Sequence, residues 1–116
     1  MGPISRDAVQ SVLSRFVDQD VYLHLETTNG AYAALKSENT MAIAAYIRNG
    51  LVRFERAVIT GNGPFRAGLK MQDGWIYAEG LTDWEEDSEG HLLLAGHDTE
   101  GRIAISLQLS TTPFPM

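Results

Sequence analysis

The first apolar pattern along the chain has the period of an α-helix. Within residues 5–18, apolar side chains recur at intervals of three or four, which places them on one face of a helix. The members of this stripe are Val9, Val12, Leu13, Phe16 and Val17. Ser5 stands where it can cap the first turn, and Asp7 suits the positive end of the helix dipole. We therefore predict one N-terminal α-helix at about residues 5–18, covering an open end or edge of the remaining structure.

After residue 19 the period changes to two, which predicts half-buried strands. In the run YLHLETTNGAYAAL, residues 22–35, apolar and polar positions alternate up to Asn29-Gly30. This dipeptide is typical of two-residue type I′ hairpin turns, because both turn positions require positive φ. The pairs that such a turn predicts are Glu26 with Ala33, His24 with Leu35, and Thr27 with Tyr32.

Two more hairpins follow from the same alternation. Asp73-Gly74 separates FRAGLKMQ from WIYAEGLT, and a turn at this dipeptide places Leu69 opposite Ala78. Glu100-Gly101 is the centre of the third predicted hairpin, between HLLLAGHD and IAISLQL. The predicted buried face of this third hairpin consists of Leu92, Leu94, Ile103, Ile105, Leu107 and Leu109.

The stretch 41–60, MAIAAYIRNGLVRFERAVIT, permits two interpretations. Its alanines and methionine suit a helix at 41–48, whereas the apolar residues before Asn49-Gly50 are equally typical of a strand that ends in a turn. We favour a strand in each half of the stretch, with the turn at Asn49-Gly50 between them.

The three hairpins and the strands between them predict a mainly β fold. We expect an antiparallel β-sandwich or a flattened barrel of about 8–10 short strands, with the one N-terminal helix. With 116 residues, the chain has the size of a single domain spanning residues 1–116. Its apolar fraction of 44% and charged fraction of 21% are ordinary for a folded domain.

Charge and composition exclude several classes of function. Fifteen acidic residues stand against nine basic ones, and the net charge is −6. Because phosphate backbones are bound by clustered Lys and Arg, we expect no nucleic-acid partner. The chain has no cysteine, which excludes disulfides, thiolate nucleophiles and sulfur-ligated zinc. The apolar runs are too short to span a bilayer and no signal-peptide pattern is present, so we expect a cytoplasmic protein with no membrane partner.

The candidate site lies on the first predicted hairpin. His24 and Glu26 are two residues apart on a strand and project from the same face, where a carboxylate can orient an imidazole for acid–base work. Tyr22 and Thr28 extend this face, and Tyr32 lies across the predicted turn. These five residues are the predicted ligand-binding set, and His24 and Glu26 are also the catalytic candidates. The alternative is a solvent-facing polar pair in a hairpin.

The sequence matches no complete zinc, calcium, serine-hydrolase or phosphate-loop motif. The spacing of His24, His91 and His97 matches no structural zinc pattern. The acidic run DWEEDSEG, residues 83–90, resembles a calcium loop, but in the frame that starts at Glu85 the twelfth ligand is Gly96 instead of Glu. Neither a Gly-x-Ser-x-Gly elbow nor a Gly-Lys-Ser/Thr phosphate loop is present. We therefore expect no metal and no cofactor.

Aromatic residues suggest a second surface. Trp75, Tyr77 and Trp84 fall on or near the mixed face of the second hairpin, where exposed rings can stack on a sugar. The alternatives are burial in the core and a homo-oligomer interface, which favours such side chains. We expect a homo-oligomer. The proline-broken segment TTPFPM is predicted to be an arm that packs Phe114 onto a neighbour.

The run VYLHLETTNGAYA, residues 21–33, together with Pro3-Ile4 and the later GLVRFERA, resembles the YojF-like family of small proteins of unknown function from Bacillus-type bacteria. The resemblance extends over essentially the whole chain. It implies a cytoplasmic β-sandwich with an N-terminal helix. It also implies an association with an LmbE-like N-acetylglucosaminyl deacetylase, of the kind used in bacillithiol synthesis. It identifies no catalytic residues.

Three functional hypotheses follow. The leading one is a non-catalytic accessory or small-ligand-binding protein that supports an LmbE-like deacetylase. The second is a small enzyme that uses His24 and Glu26 as an acid–base pair. The third is a sugar-binding module that uses Trp75, Tyr77 and Trp84.

Overall fold

The computed structural model describes residues 1–28 and 44–116, which form one helix and nine strands. In chain order the strands are β1 (Gly2–Pro3), β2 (Asp20–Thr28), β3 (Ala44–Arg53), β4 (Arg56–Gly61), β5 (Phe65–Met71), β6 (Gly74–Leu81), β7 (Asp83–Glu86), β8 (Leu92–His97) and β9 (Ile103–Ser110). The helix α1 (Arg6–Ser14) lies between β1 and β2 in the sequence. The predicted mainly β class, the single N-terminal helix and the number of strands are confirmed.

The strands form two antiparallel sheets that face each other across one core. The first sheet has six strands in the order β1-β7-β8-β9-β2-β3, and the second has three in the order β4-β5-β6. The chain passes from the first sheet to the second at Phe54, whose side chain is buried. Because the described strands do not close into one sheet, the structure is the predicted sandwich and not the flattened barrel.

Apolar side chains from both sheets and from α1 fill the space between the layers. In β8 and β9 the buried leucines occupy alternate positions, because successive side chains of a strand point to opposite faces. Complete burial of one such side chain stabilises a fold by about 1.5–3 kcal/mol. Fully buried members of this core include Val9, Leu13, Val21, Leu23, Leu69, Leu81, Leu92, Leu94, Leu107 and Leu109.

Helix α1 covers the outer edge of β4, in agreement with its predicted role. The Gln10 side chain donates from Nε2 to the Ala57 carbonyl oxygen at 2.8 Å and accepts at Oε1 from the Ile59 backbone N–H at 3.0 Å. An edge strand exposes unpaired backbone groups that invite pairing with another chain. One glutamine amide therefore takes the place of a neighbouring strand along this part of the edge.

The helix is shorter than predicted and ends at Ser14 instead of Asp18. The backbone N–H groups of Arg15 and Phe16 donate to carbonyls three residues earlier, at 3.1 Å each, instead of four as in an α-helix. Asp18 adopts a φ of 59°, which turns the chain out of the helical direction toward β2. Ser5 occupies the N-cap position, but its side chain makes no capping hydrogen bond. No helix in the described segments is long and apolar enough to span a membrane.

Strand β2 lies inside the six-stranded sheet, paired with β3 on one edge and β9 on the other. Glu26 is opposite Tyr46 on β3 and Ser106 on β9. Since a strand has only two edges, the partners predicted for the first hairpin are wrong. Those partners were Ala33 for Glu26, Leu35 for His24 and Tyr32 for Thr27. The predicted turn at Asn29-Gly30 lies outside the described residues.

The ambiguous stretch 41–60 contains two strands, of which β3 begins at Ala44, and residues 41–43 lie outside the described range. Asn49-Gly50 does not form the turn that the sequence predicts. It lies within β3, where the pairing with β2 jumps from Leu23 opposite Gly50 to Leu25 opposite Ile47. This β-bulge gives Asn49 a φ of 57°, so positive φ serves a bulge here instead of a hairpin.

The second hairpin turns at Gln72-Asp73 and not at Asp73-Gly74, because Met71 pairs with Gly74. Leu69 is consequently opposite Ile76 instead of Ala78. Between Ala67 and Met71 this shift of two residues keeps the side chains on their predicted faces, since the side-chain period of a strand is two. A bulge before Ala67 then places Leu81 opposite Phe65, and Leu81 is buried in the core.

The third hairpin has the predicted register from Leu92 opposite Leu109 to Gly96 opposite Ile105. A bulge then places His97 opposite Ile103. Beyond that bulge the predicted burial fails, because Ile103 is 49% exposed.

The edge-capping role of Gln10 predicts a measurable loss of stability. We expect Gln10→Ala to lower the free energy of unfolding by about 2 kcal/mol, because it leaves one donor and one acceptor of β4 without their partner. Ser11→Ala, on the exposed side of the same helix, is the matched control. Equal urea midpoints for the two variants would contradict the role of Gln10.

Candidate functional site

A groove runs between β2 and β9 on the face of the six-stranded sheet that points away from the core. It encloses about 300 Å³. Its lining residues are His24, Glu26, Thr28, Ile103, Ala104, Ile105, Ser106 and Gln108. We call it the β2–β9 groove. Three of the five predicted ligand-binding residues therefore share one cavity, whereas Tyr22 does not line it and Tyr32 lies outside the described residues.

His24 is the buried polar residue at the base of this groove, with 9% exposure. Its Nε2 lies 3.2 Å from Glu26 Oε1, and its Nδ1 lies 3.4 Å from Arg48 Nη1. A guanidinium group can only donate, so the contact with Arg48 requires a lone pair on Nδ1. Assigned from these two partners, His24 carries its proton on Nε2 and donates it to Glu26.

The consequence is that His24 orients Glu26 and does not itself face a ligand. Both ring nitrogens of His24 are engaged within the chain, whereas the Glu26 side chain is 46% exposed. Glu26 Oε1 accepts from His24, and Oε2 has no hydrogen bond to any residue that the structure describes. The group that the site presents is therefore a positioned carboxylate oxygen, which suits the binding of a donor better than proton transfer through His24.

Strand β9 supplies the opposite wall with neutral polar groups. Gln108 is opposite His24, and Ser106 is opposite Glu26. Gln108 Nε2 donates to Ser106 Oγ at 3.3 Å. Sequence reasoning placed these two residues on the correct, polar face of β9. The sequence did not predict that they lie beside Glu26 and His24, because the pairing of β2 with β9 joins residues about 80 positions apart.

The C-terminal arm, residues 111–116, is hydrogen-bonded to β3, the neighbour of β2 in the six-stranded sheet. Phe114 is only 6% exposed and packs edge-on against His91 of its own chain, with 5.4 Å between ring centroids. The Arg48 guanidinium lies over the other part of this ring, 4.9 Å from its centroid. The neighbours onto which the predicted arm packs Phe114 are therefore His91 and Arg48 of the same chain.

A second histidine lies next to an acidic residue at the end of β8. His97 Nδ1 is 2.9 Å from Asp83 Oδ1, and the Thr82 hydroxyl donates to the same oxygen at 2.6 Å. The Thr82 hydroxyl bond and the neighbouring His97 hold the pKa of the Asp83 carboxyl below its usual value. Asp83 belongs to strand β7, so the acidic run 83–90 begins as paired sheet and not as an exposed loop.

The third histidine is part of the turn that follows β7. Asp87 Oδ1 accepts from the backbone N–H groups of Glu89 and His91, both at 2.9 Å, and Asp87 Oδ2 lies 2.9 Å from His91 Nδ1. Burial raises the pKa of Asp87, but these hydrogen bonds and the nearby His91 outweigh it, so the pKa is lowered. Within residues 1–28 and 44–116, no three His, Asp or Glu side chains converge on a possible metal position.

The three aromatic candidates do not share a surface. Trp75 and Tyr77 stack with their rings 5° from parallel and 5.4 Å apart, at 37% and 47% exposure on the outer face of the three-stranded sheet. Arg66 lies over the Tyr77 ring at 4.6 Å. Trp84 belongs to β7 in the other sheet and packs against the core. The predicted grouping of all three rings is therefore wrong.

Comparison with known proteins gives consistent results over nearly the whole chain. Residues 3–114 match the family described as "Protein of unknown function (DUF1806)". "Uncharacterized protein YojF" from Bacillus subtilis (strain 168) is 53% identical over 114 residues, which is 98% of this chain and 98% of that protein. The crystal structure of the Bacillus subtilis YojF protein aligns with a TM-score of 0.82 at 47% identity, covering 98% of this chain and 96% of that one.

The lowered pKa of Asp87 predicts how stability changes in acid. A carboxyl whose pKa falls on folding stabilises the folded state above its unfolded pKa, and this contribution disappears as the pH drops through the folded value. Asp87→Asn keeps an oxygen that accepts the two backbone bonds but removes the titrating charge. We expect its free energy of unfolding to fall less steeply than that of the wild type below about pH 5.

Urea unfolding at a series of pH values checks this expectation. Asp73→Asn, in the exposed turn between β5 and β6, is the matched control. Parallel stability curves for the wild type and Asp87→Asn would show that Asp87 makes no contribution to the acid sensitivity.

Proposed function

Since the chain belongs to the DUF1806 family of proteins of unknown function, we propose a function from its geometry: it binds a small polar ligand in the β2–β9 groove. The family assignment agrees with the resemblance to YojF-like proteins. The observation that carries the proposal is the half-exposed Glu26 carboxylate, held in the cavity by the buried His24. A cavity of about 300 Å³ is at the small end of ligand sites, which corresponds to a ligand about the size of one sugar ring.

The lining determines the chemistry of the ligand. Glu26 is the one acidic side chain among the lining residues that the structure describes, and a carboxylate binds an ammonium group by a charge-assisted hydrogen bond. Ser106 and Gln108 offer hydroxyl and amide groups that both donate and accept, as a hydroxylated ligand requires. These groups together favour a molecule with one amine and several hydroxyl groups, which is an amino sugar.

This ligand class supports an accessory role beside an LmbE-like deacetylase. The family resemblance implies an association with such an enzyme. Removal of an N-acetyl group leaves a free amine on the sugar, and that amine is the group that Glu26 is suited to bind. In this proposal the protein binds the deacetylated amino sugar and performs no chemistry on it.

The other two hypotheses have less support in the geometry. The acid–base enzyme needs His24 to exchange a proton with a ligand, yet both of its ring nitrogens already have partners. The sugar-binding module needed three aromatic rings on one surface, and Trp84 lies in a different sheet from Trp75 and Tyr77.

Titration with amino sugars tests the ligand proposal. We expect glucosamine to shift the amide NMR signals of Glu26, Ser106 and Gln108 at millimolar concentration, and N-acetylglucosamine to bind more weakly because it has no ammonium group. Glu26→Gln removes the charge and should weaken glucosamine binding about tenfold or more, since hydrogen bonds to charged groups contribute about 1.5–3 kcal/mol.

Glu79→Gln is the control for this titration, because Glu79 is an exposed carboxylate on the three-stranded sheet. It should bind glucosamine as the wild type does. Shifts spread evenly over the surface, or equal affinity for glucosamine and N-acetylglucosamine, would rule out an ammonium site at Glu26.

The accessory role has its own test. We expect the protein to co-elute with an LmbE-like N-acetylglucosaminyl deacetylase in size-exclusion chromatography, or to relieve inhibition of that enzyme by its own product. Absence of both effects would reject the accessory role, while the titration above would still decide whether the groove binds a ligand.

A further inference from the structure

The C-terminal arm is fastened to β3 by a side chain that mimics a paired strand. Asn49 Nδ2 donates to the Phe114 carbonyl oxygen at 2.8 Å, and Asn49 Oδ1 accepts from the Phe114 backbone N–H at 2.7 Å. Both backbone groups of one arm residue are thus satisfied by one amide. Burial of the Phe114 ring against His91 adds an apolar contact at the same point.

Arg48, the preceding residue, joins the arm to the groove. Its Nη2 and Nε donate to the Pro115 carbonyl oxygen at 2.7 and 3.2 Å, and its guanidinium covers the Phe114 ring. Its remaining terminal nitrogen, Nη1, reaches His24 Nδ1 at 3.4 Å. Because a guanidinium is a rigid plane, its contact with the arm determines where Nη1 points.

The β-bulge in β3 allows two consecutive side chains, Arg48 and Asn49, to bind the C-terminal arm. In a regular strand, Arg48 and Asn49 would project from opposite faces of the sheet. Here the pairing skips from Gly50 to Ile47, and Asn49 adopts a φ of 57°. Bulges commonly redirect a side chain next to a functional site, and this one directs both residues toward the same segment.

We infer that Arg48 is a positioning residue through which the docked C-terminal arm holds His24 in its Nε2–H form and so fixes Glu26 in the groove. With Nδ1 facing a guanidinium, the proton of the ring must be on Nε2, where it points at Glu26 Oε1. Arm docking and ligand binding are then coupled, and each favours the other by the same factor. The ligand half of this inference rests on the proposed function, whereas the state of His24 does not.

The protonation pattern of His24 is measurable without any ligand. In two-bond ¹H–¹⁵N correlation spectra of the imidazole at pH 7, we expect the wild type to give an unprotonated Nδ1 and a protonated Nε2. Arg48→Leu should move the Nδ1 signal toward the position of a protonated nitrogen, because the donor that excludes a proton there is gone. Arg53→Leu, on the same strand but away from the arm, should leave both signals unchanged.

The arm is tested separately from the arginine. Phe114→Ala removes the buried ring. Asn49→Ala removes the two hydrogen bonds to the Phe114 backbone and the weaker one to Met116 Sδ, while leaving the core intact. In each variant we expect the same direction of change at Nδ1 as in Arg48→Leu. If Phe114→Ala fails to fold, Asn49→Ala decides the matter. An unchanged His24 spectrum in Asn49→Ala, or in Arg48→Leu, would overturn the inference.

Titration with glucosamine then measures the coupling. We expect a dissociation constant about fivefold higher in Arg48→Leu and in Asn49→Ala than in the wild type, and no change in Arg53→Leu. Equal affinities despite an altered His24 spectrum would contradict the coupling. A wild type that binds no glucosamine would reject the proposed ligand, and the spectra would still decide whether the arm positions His24.

Discussion

Strand β2 is hydrogen-bonded along both of its edges, to β3 and to β9, and the positions of the core and the groove depend on this pairing. Its alternation sends Val21 and Leu23 into the core, while His24 and Glu26 face the other way. A shift of one residue against either neighbour would exchange these two sets of side chains. The buried side therefore fixes the register, and the register fixes where the polar side chains of the groove stand.

A second constraint follows from burying a histidine. Polar groups removed from water need hydrogen-bond partners, and His24 finds one on each ring nitrogen. One partner, Glu26, is on its own strand, but the other is Arg48, which itself depends on the C-terminal arm. The polar contacts of the groove thus extend through β3 to the arm, so that the site involves three segments of the chain that lie far apart in sequence.

Two dipeptides typical of hairpin turns do not form the turns that they predict. Asn49-Gly50 has the composition of a hairpin turn, yet it lies in a bulge, because β3 continues as the neighbour of β2 on both sides of it. The second hairpin turns one residue earlier than Asp73-Gly74 predicts, and Gly74 does not adopt the left-handed conformation that makes glycine favourable there. In each case the pairing of whole strands outweighed the preference of two residues.

The sequence by itself determined the mainly β class, the N-terminal helix, the faces of β8 and β9 as far as the bulge at His97, and the shared face of His24, Glu26 and Thr28. These features depend on periodicity, which every residue carries regardless of its distant neighbours. Only the tertiary structure decided that β3 and β9 pair with β2, that Ser106, Gln108 and Arg48 reach the site, and that Trp84 is separated from Trp75. Those contacts join residues far apart in the chain, and their energies depend on how two sheets and an arm pack together, which no local pattern specifies.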